Sequence, residues 1–342
     1  MAGIVKLWRQ KRSPPAEPTT SFAGKTVLVT GSNTGLGYES ALMFHKLGAH
    51  HIILAVRTPS TGEEAARNIR SQSKGSGDIT VLPLDMLSYD SIKSFASRIS
   101  SEVPVLDIAV LNAGVTSTSA TFSNYNIERT IQVNTISTIL LALLLLPKLR
   151  ESHQQGRDTP VLEFVSSGTH VVINWDEELR KSTSPIALLN ARAQKSKDGK
   201  GSYSFNTYYA SSKVFLQAAY QHIARLAASK SGEPDVIVTS VCPGMTKSNL
   251  ARDFKQWWIL PILWLFYYIF ARSTEEGART YVSGAALGEK GRGGFWQHDK
   301  LQPTAPLLKD AEGDKRAENI WHEIIDILRR DVPEVLELTK GA

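Results

Sequence analysis

The sequence predicts an α/β protein built on a doubly wound parallel sheet, and three observations carry that prediction. Six short runs of apolar and β-branched residues recur along the chain, helical stretches separate them, and a glycine-rich turn follows the first run directly. Strands covered by helices on both faces read as near-continuous apolar runs, and that is the pattern at 25–30 (KTVLVT), 51–56 (HIILAV), 79–84 (ITVLPL), 105–111 (VLDIAVL), 161–165 (VLEFV) and 236–241 (VIVTSV). Helices are expected over 35–46, 61–71, 88–101, 125–150, 207–230 and 318–330. The polar, lysine-rich stretch 191–202 reads as an exposed loop, and 303–314 as another.

Composition narrows the function. The chain has 342 residues, 42% hydrophobic and 21% charged, which suits one large α/β domain with extensions. A net charge of +6 is a mild excess, compatible with an anionic ligand or a membrane surface, and gives no ground for nucleic-acid binding. Cys242 is the only cysteine, which excludes an intrachain disulfide framework and a multi-cysteine metal site and suits a reducing, cytoplasmic setting. It reads as a packed strand-end residue. His50 and His51 adjoin on one strand and point to opposite faces, so no metal is expected there. Residues 1–15 carry Lys6, Arg9, Lys11 and Arg12 around Trp8 before Pro14 and Pro15, and read as a basic arm without a signal-peptide apolar run. The longest apolar stretch, 257–271, has 15 residues against the about 20 that a spanning helix needs.

The first chemical motif is TGSNTGLG, residues 30–37, between a strand and a helix. Gly31 permits a tight turn, and Gly35 and Gly37 let a diphosphate approach the helix N-terminus, the same solution as the G-x-G-x-x-G dinucleotide fingerprint with a different spacing. An NAD-selective site places an acidic residue about 20 positions on, to hold the ribose 2′-hydroxyl. Here Arg57 stands at that place. Its planar fork suits a 2′-phosphate, so NADP(H) is the expected cofactor.

With the motifs that follow it, this combination resembles the short-chain dehydrogenase/reductase family. Asp85 matches the family's residue near the adenine ring, Asn112-Ala113-Gly114 its NAG motif, and Asn134 its active-site asparagine. Ser166-Ser167 closes the fifth strand, Tyr209 and Lys213 form the Tyr-x3-Lys pair, and Cys242-Pro243-Gly244 with Thr246 matches the Pro-Gly and nicotinamide-side threonine. The resemblance covers about residues 22–300 and implies a single-domain Rossmann fold. It implies a cofactor site of Gly31, Ser32, Asn33, Thr34, Gly35, Leu36, Gly37, Arg57, Asp85, Asn112, Tyr209, Lys213, Pro243 and Thr246. It implies Ser167, Tyr209, Lys213 and Asn134 as catalytic residues, with Ser167 rather than Ser166 on the substrate carbonyl and Asn134 anchoring a water. The organisation expected is a basic arm at 1–21, an NADP-binding domain at 22–300 with a lid at 245–272, and a C-terminal loop and helix at 301–342.

Tyr209 and Lys213 lie one helical turn apart on one face. An ammonium about 4 Å from the phenol is worth about 4 kcal/mol at an effective dielectric near 20, about three pKa units, so the tyrosine is expected to move from about 10 towards neutrality. Tyr208 lacks this partner, because Ser212 stands four residues on. FVSSG lacks the first glycine of G-x-S-x-G, which argues against a serine hydrolase.

Ser167 and Tyr209 are 42 positions apart, far more than is usual in the family, and the insertion should border the substrate mouth. The phrases ILAVR and FARSTEEGA are similar to the retinol dehydrogenase-like branch. Seven aromatic residues between Trp257 and Phe270 suit a bulky apolar substrate, a dimer contact or a membrane interface. The expected activity interconverts a carbonyl and an alcohol on a bulky apolar small molecule with NADP(H), in specialised-metabolite (polyketide or terpenoid) biosynthesis, as in fungal specialised-metabolite reductases. A membrane-associated retinoid or steroid dehydrogenase and a non-catalytic NADP(H) sensor are the alternatives. The sensor has no need of Ser167, Tyr209, Lys213 and Asn134 together. Peripheral contact with an intracellular membrane and homo-oligomerisation stay open.

Overall fold

The structure is a computed structural model that describes residues 2–229, 232–247 and 266–340. The N-terminal helix α1 (Ala2–Arg12) precedes β1 (Thr26–Thr30), α2 (Gly35–Lys46), β2 (His51–Val56), α3 (Pro59–Gln72), β3 (Asp78–Pro83), α4 (Tyr89–Glu102) and β4 (Ile108–Leu111). The long helix α5 (Arg129–Gln154) leads to β5 (Val161–Val165), and the inserted segment carries α6 (Thr169–Val172), α7 (Glu177–Lys181) and α8 (Pro185–Lys197). Then come α9 (Phe205–Leu226), β6 (Ile237–Val241), α10 (Thr274–Ala285), β7 (Phe295–Gln297), β8 (Lys300–Gln302), α11 (Asp310–Asp331) and α12 (Val335–Leu338).

The strands form one sheet in the order β3-β2-β1-β4-β5-β6-β7-β8, parallel throughout except for the last pairing. Chain order reverses between β1 and β4, and a crevice at the C-terminal ends of strands flanking such a switch point is where open α/β sheets bind ligands. One apolar core lies between the sheet and α4, α5 and α9, and a second between the sheet and α2, α3 and α10. This is the doubly wound Rossmann arrangement that the strand pattern predicts. Helix α5 is the one described helix long and apolar enough to cross a membrane, and it is buried in the first core.

Several expectations need correction. The sheet has eight strands rather than six, because β7 and β8 are three residues each, too short for a periodic signal, and turn through His298 and Asp299 at positive φ. The lysine-rich 191–202 is not a loop along its length. Helix α8 runs to Lys197 because Pro185 starts it and Ile186, Leu189 and Ala193 bury one face. Helix α11 begins at Asp310 rather than 318, so 303–314 is only partly a loop. The basic arm contains a helix, α1. Most of the expected aromatic lid, 248–265, lies outside the described residues.

Candidate active site

The glycine turn is built by close approach. Gly31 and Gly35 take φ of +64° and +62°. A Cβ on Gly37 would lie 2.5 Å from Gly31 O and 2.6 Å from Asn112 Nδ2, so only glycine fits. Asn112 ties this turn to β4, its Nδ2 donating to Thr30 O at 2.8 Å and its Oδ1 accepting from Tyr281 Oη at 3.1 Å. Ala113 N donates to Thr30 Oγ1 at 2.9 Å. Three features suit an anionic dinucleotide here. Gly37 leaves a cradle, the buried Ser32 Oγ has no partner among the described residues, and Thr34 at the N-cap of α2 makes no side-chain bond to the helix N–H groups. Asn33 Nδ2 donates to Thr61 Oγ1 at 3.2 Å, which links the turn to the start of α3, while Leu36 packs into the second core.

Arg57 is exposed just past β2, whose Ala55 carbonyl accepts from Gly31 N at 2.8 Å, so it stands beside the glycine turn. Asp85 follows β3, and its Oδ1 accepts from Leu87 N at 3.0 Å. They follow β2 and β3, the outer strands on that side of the sheet.

Across the switch point, Ser167, Tyr209, Lys213 and Cys242 come together. The Ser167 hydroxyl bonds the Tyr209 phenol. Lys213 Nζ donates to Val165 O at 2.8 Å and lies 5.9 Å from the centre of the Tyr209 ring. Cys242 Sγ accepts from Gly168 N at 3.2 Å and from Gln297 Nε2 at 3.0 Å, which fits a packed strand-end role. The expected lowering of the tyrosine pKa is reversed. Burial pushes Tyr209 up to about 12, with the Ser167 bond opposing, and pushes Lys213 down to about 8. Burial is the largest cause for both groups, and the ammonium is bonded to the end of β5.

Asn134 lies on the helix after β4, as expected. It sits in a π-helical turn, Gln132–Ser137, inside α5, and its amide is occupied by protein: Oδ1 accepts from Val115 N at 2.8 Å, and Nδ2 donates to Val115 O at 2.9 Å and Ser212 Oγ at 3.1 Å. Its side chain therefore locks the loop after β4 to α9. Ser166 is buried against His170, while Ser167 is half-buried. Tyr208 points away, its Oη donating to Leu189 O at 3.0 Å and its ring stacked on Tyr203. Pro243 and Thr246 follow β6 and pack against α10, where a Cβ on Gly277 would lie 2.3 Å from Thr246 Cγ2.

Sequence reasoning missed four supports. Trp175 Nε1 donates to Ser211 Oγ at 2.9 Å, inside the Tyr-x3-Lys turn. The Glu323 carboxylate accepts from Ile186 N and Ala187 N at 2.9 and 2.7 Å, seating the insertion on α11. Tyr281 holds Asn112, and Gln297 holds Cys242. A proline-started helix at 185 was a usable signal; the other contacts join distant residues and leave no local trace.

The fold and this crevice define a dinucleotide-dependent oxidoreductase architecture. A short chain dehydrogenase family model matches residues 25–173. A short-chain dehydrogenase/reductase of Aspergillus flavipes, ffsI, is 41% identical over 98% of this chain and 95% of its own length, and phmF of Phaeosphaeria nodorum is 40% identical over 97% and 94%. Among solved structures, salutaridine reductase from Papaver somniferum is similar with a TM-score of 0.59 and 21% identity, over 80% of this chain and 99% of its own. The chain belongs to the short-chain dehydrogenase/reductase family, and its cofactor is a nicotinamide dinucleotide.

Proposed function

We propose that the protein is an NADP(H)-dependent reductase of a carbonyl group on a bulky apolar small molecule in specialised metabolism. The observation that carries the cofactor choice is Arg57, an exposed guanidinium beside the glycine turn where an acidic ribose ligand would otherwise stand. Residues 31–37 would cradle the diphosphate, Arg57 the 2′-phosphate and Asp85 the adenine side. Asn112 would line the centre, and Tyr209, Lys213, Pro243 and Thr246 would face the nicotinamide half. The bound cofactor supplies hydride to the carbonyl carbon. Ser167 orients the carbonyl oxygen, and the Tyr209 phenol donates a proton to it. Burial raises the Tyr209 pKa and so keeps the phenol protonated, the form that can donate. Lys213 supplies positive charge one helical turn on, 5.9 Å from the ring centre of the phenolate left behind. The aromatic stretch 257–271 and fungal relatives such as ffsI support the substrate and pathway reading.

The test is binding and turnover. Arg57→Asp should weaken NADPH by about 2 kcal/mol or more, about 30-fold, and spare NADH. An unchanged NADPH to NADH ratio sinks the cofactor choice. Incubation with NADPH and a panel of bulky ketones, read by mass, tests the substrate class; reduction confined to small ketones contradicts it. A second reading, attachment to a membrane surface as in a retinoid or steroid dehydrogenase, draws on exposed Trp8, Tyr268 and Ile269 near Arg9, Arg12 and Lys247. High salt or alkaline carbonate should then release the protein from membranes.

A further inference from the structure

Arg272 is 1% exposed and lies in the phrase FARSTEEGA, where the motifs above give it no role. Its backbone closes a neck: Arg272 N donates to Met245 O and its carbonyl accepts from Lys247 N, both at 2.9 Å, so Thr246 sits in a parallel bridge with it. Its side chain turns to the end of α1. Nε donates to Gln10 O at 2.9 Å, and Nη2 to Gln10 O at 2.5 Å and Ser13 O at 2.7 Å. The last carbonyls of a helix lack intrahelical partners and carry partial negative charge, so a guanidinium satisfies both needs. Asp299 and Glu276 supply the nearby negative charge that a buried cation requires.

Other contacts fasten the same segment. Lys11 Nζ donates to Tyr268 O, Arg279 Nη1 to Pro15 O at 3.2 Å, and Ala16 N to Asp299 Oδ2 at 2.8 Å. Together with the Arg272 bonds, they join residues 257 to 283 positions apart. On its other side, Arg272 Nη1 is buried without a partner among the described residues and lies 3.3 Å from where a Cβ on Gly244 would be. The turn from Pro243 to Thr246 is therefore held between α10 and Arg272.

We infer that Arg272 is a positioning residue for hydride transfer, which braces against the end of the N-terminal helix and holds Gly244 and Thr246 at the nicotinamide side of the cofactor. This rests on the cofactor reading above. Residues 2–16 are then part of the active-site scaffold rather than a free basic arm.

The experiment uses full-length Arg272→Met and Arg272→Lys. It measures dissociation constants for NADPH and for adenosine 2′,5′-bisphosphate, which lacks the nicotinamide half, together with trypsin cleavage after Arg12. Arg272→Met should weaken NADPH about tenfold or more, leave the bisphosphate within about twofold, and speed cleavage. Arg272→Lys, which keeps the charge and loses the fork, should fall between and carries the test if Arg272→Met fails to fold. Adding Thr246→Val to Arg272→Met should cost no further NADPH affinity, because Arg272 acts through Thr246. Equal weakening of both ligands, or unchanged NADPH binding after the segment is freed, overturns the inference. Failure of the unmodified protein to bind the bisphosphate overturns the NADP reading instead, and NADH with ADP then makes the same comparison.

Discussion

The two sides of the sheet are specified differently. On the β3-β2-β1-β4 side, the cofactor crevice is made from residues close to one another along the chain: a seven-residue glycine turn, one residue past β2 and one past β3. On the β5-β6-β7-β8 side, Ser167, Tyr209 and Lys213 depend on an insertion seated by α11, a two-strand extension and a helix from the other end of the chain. Local chemistry fixes the first side, and long-range packing holds the second. Substitutions on the first side should therefore act chiefly on binding of the cofactor's adenosine-diphosphate half, whereas those on the second should act on its nicotinamide half, on turnover and on stability.

The largest effect expected on the cofactor side is from Gly37→Ala. Its methyl would meet a backbone carbonyl and the Asn112 amide, neither of which can withdraw without opening the crevice. NADPH affinity should fall about 100-fold, about 3 kcal/mol. Gly35→Ala meets no atom within 4 Å and carries only the cost of its positive φ, about 1 to 2 kcal/mol. Isothermal titration of both variants measures the difference, and equal losses would contradict the close-approach account.

An intermediate effect is expected from pH. Burial lowers the Lys213 pKa to about 8. If the cofactor's ribose hydroxyls accept from this ammonium, they favour its charged form, so binding raises that pKa and takes up a proton above pH 8. NADPH affinity should be flat just below pH 8 and weaken by up to about tenfold per pH unit above it. Lys213→Met should remove the slope, and affinity that improves with rising pH would contradict the assignment.

The smallest effect is expected from Trp175→Phe, which keeps the ring against Phe215 and removes the bond to Ser211. Stability should fall by about 1 kcal/mol, read by denaturant titration, and turnover by a few-fold at most. A change in NADPH affinity alone would blur the division between the two sides.

That division also explains what was legible in the sequence. Buried parallel strands announced themselves as β-branched runs, and the ordered motifs from Gly31 to Thr246 pointed to one edge of the sheet, because all but Asn134 and the Tyr209–Lys213 pair, which lie on α5 and α9, follow a strand end. The short β7 and β8 gave no period. The direction of Lys213, the commitment of Asn134 to Val115 and Ser212, and the burial of Arg272 under α1 are set by which distant groups arrive nearby. The Tyr209 pKa went wrong for the same reason: spacing shows that two residues share a helix face, but not where a flexible ammonium points or how dry its surroundings are.

The most direct measurement compares Tyr209→Phe with Tyr208→Phe under saturating NADPH and a reducible ketone. Tyr209 joins Ser167 at the centre of the site, and Tyr208 is spent on Leu189. Tyr209→Phe should bind NADPH as the unmodified protein does and turn over about 10² times more slowly or worse, while Tyr208→Phe should keep most of its activity. Equal turnover by the two variants would contradict the proton-donor assignment on which the proposed reaction stands.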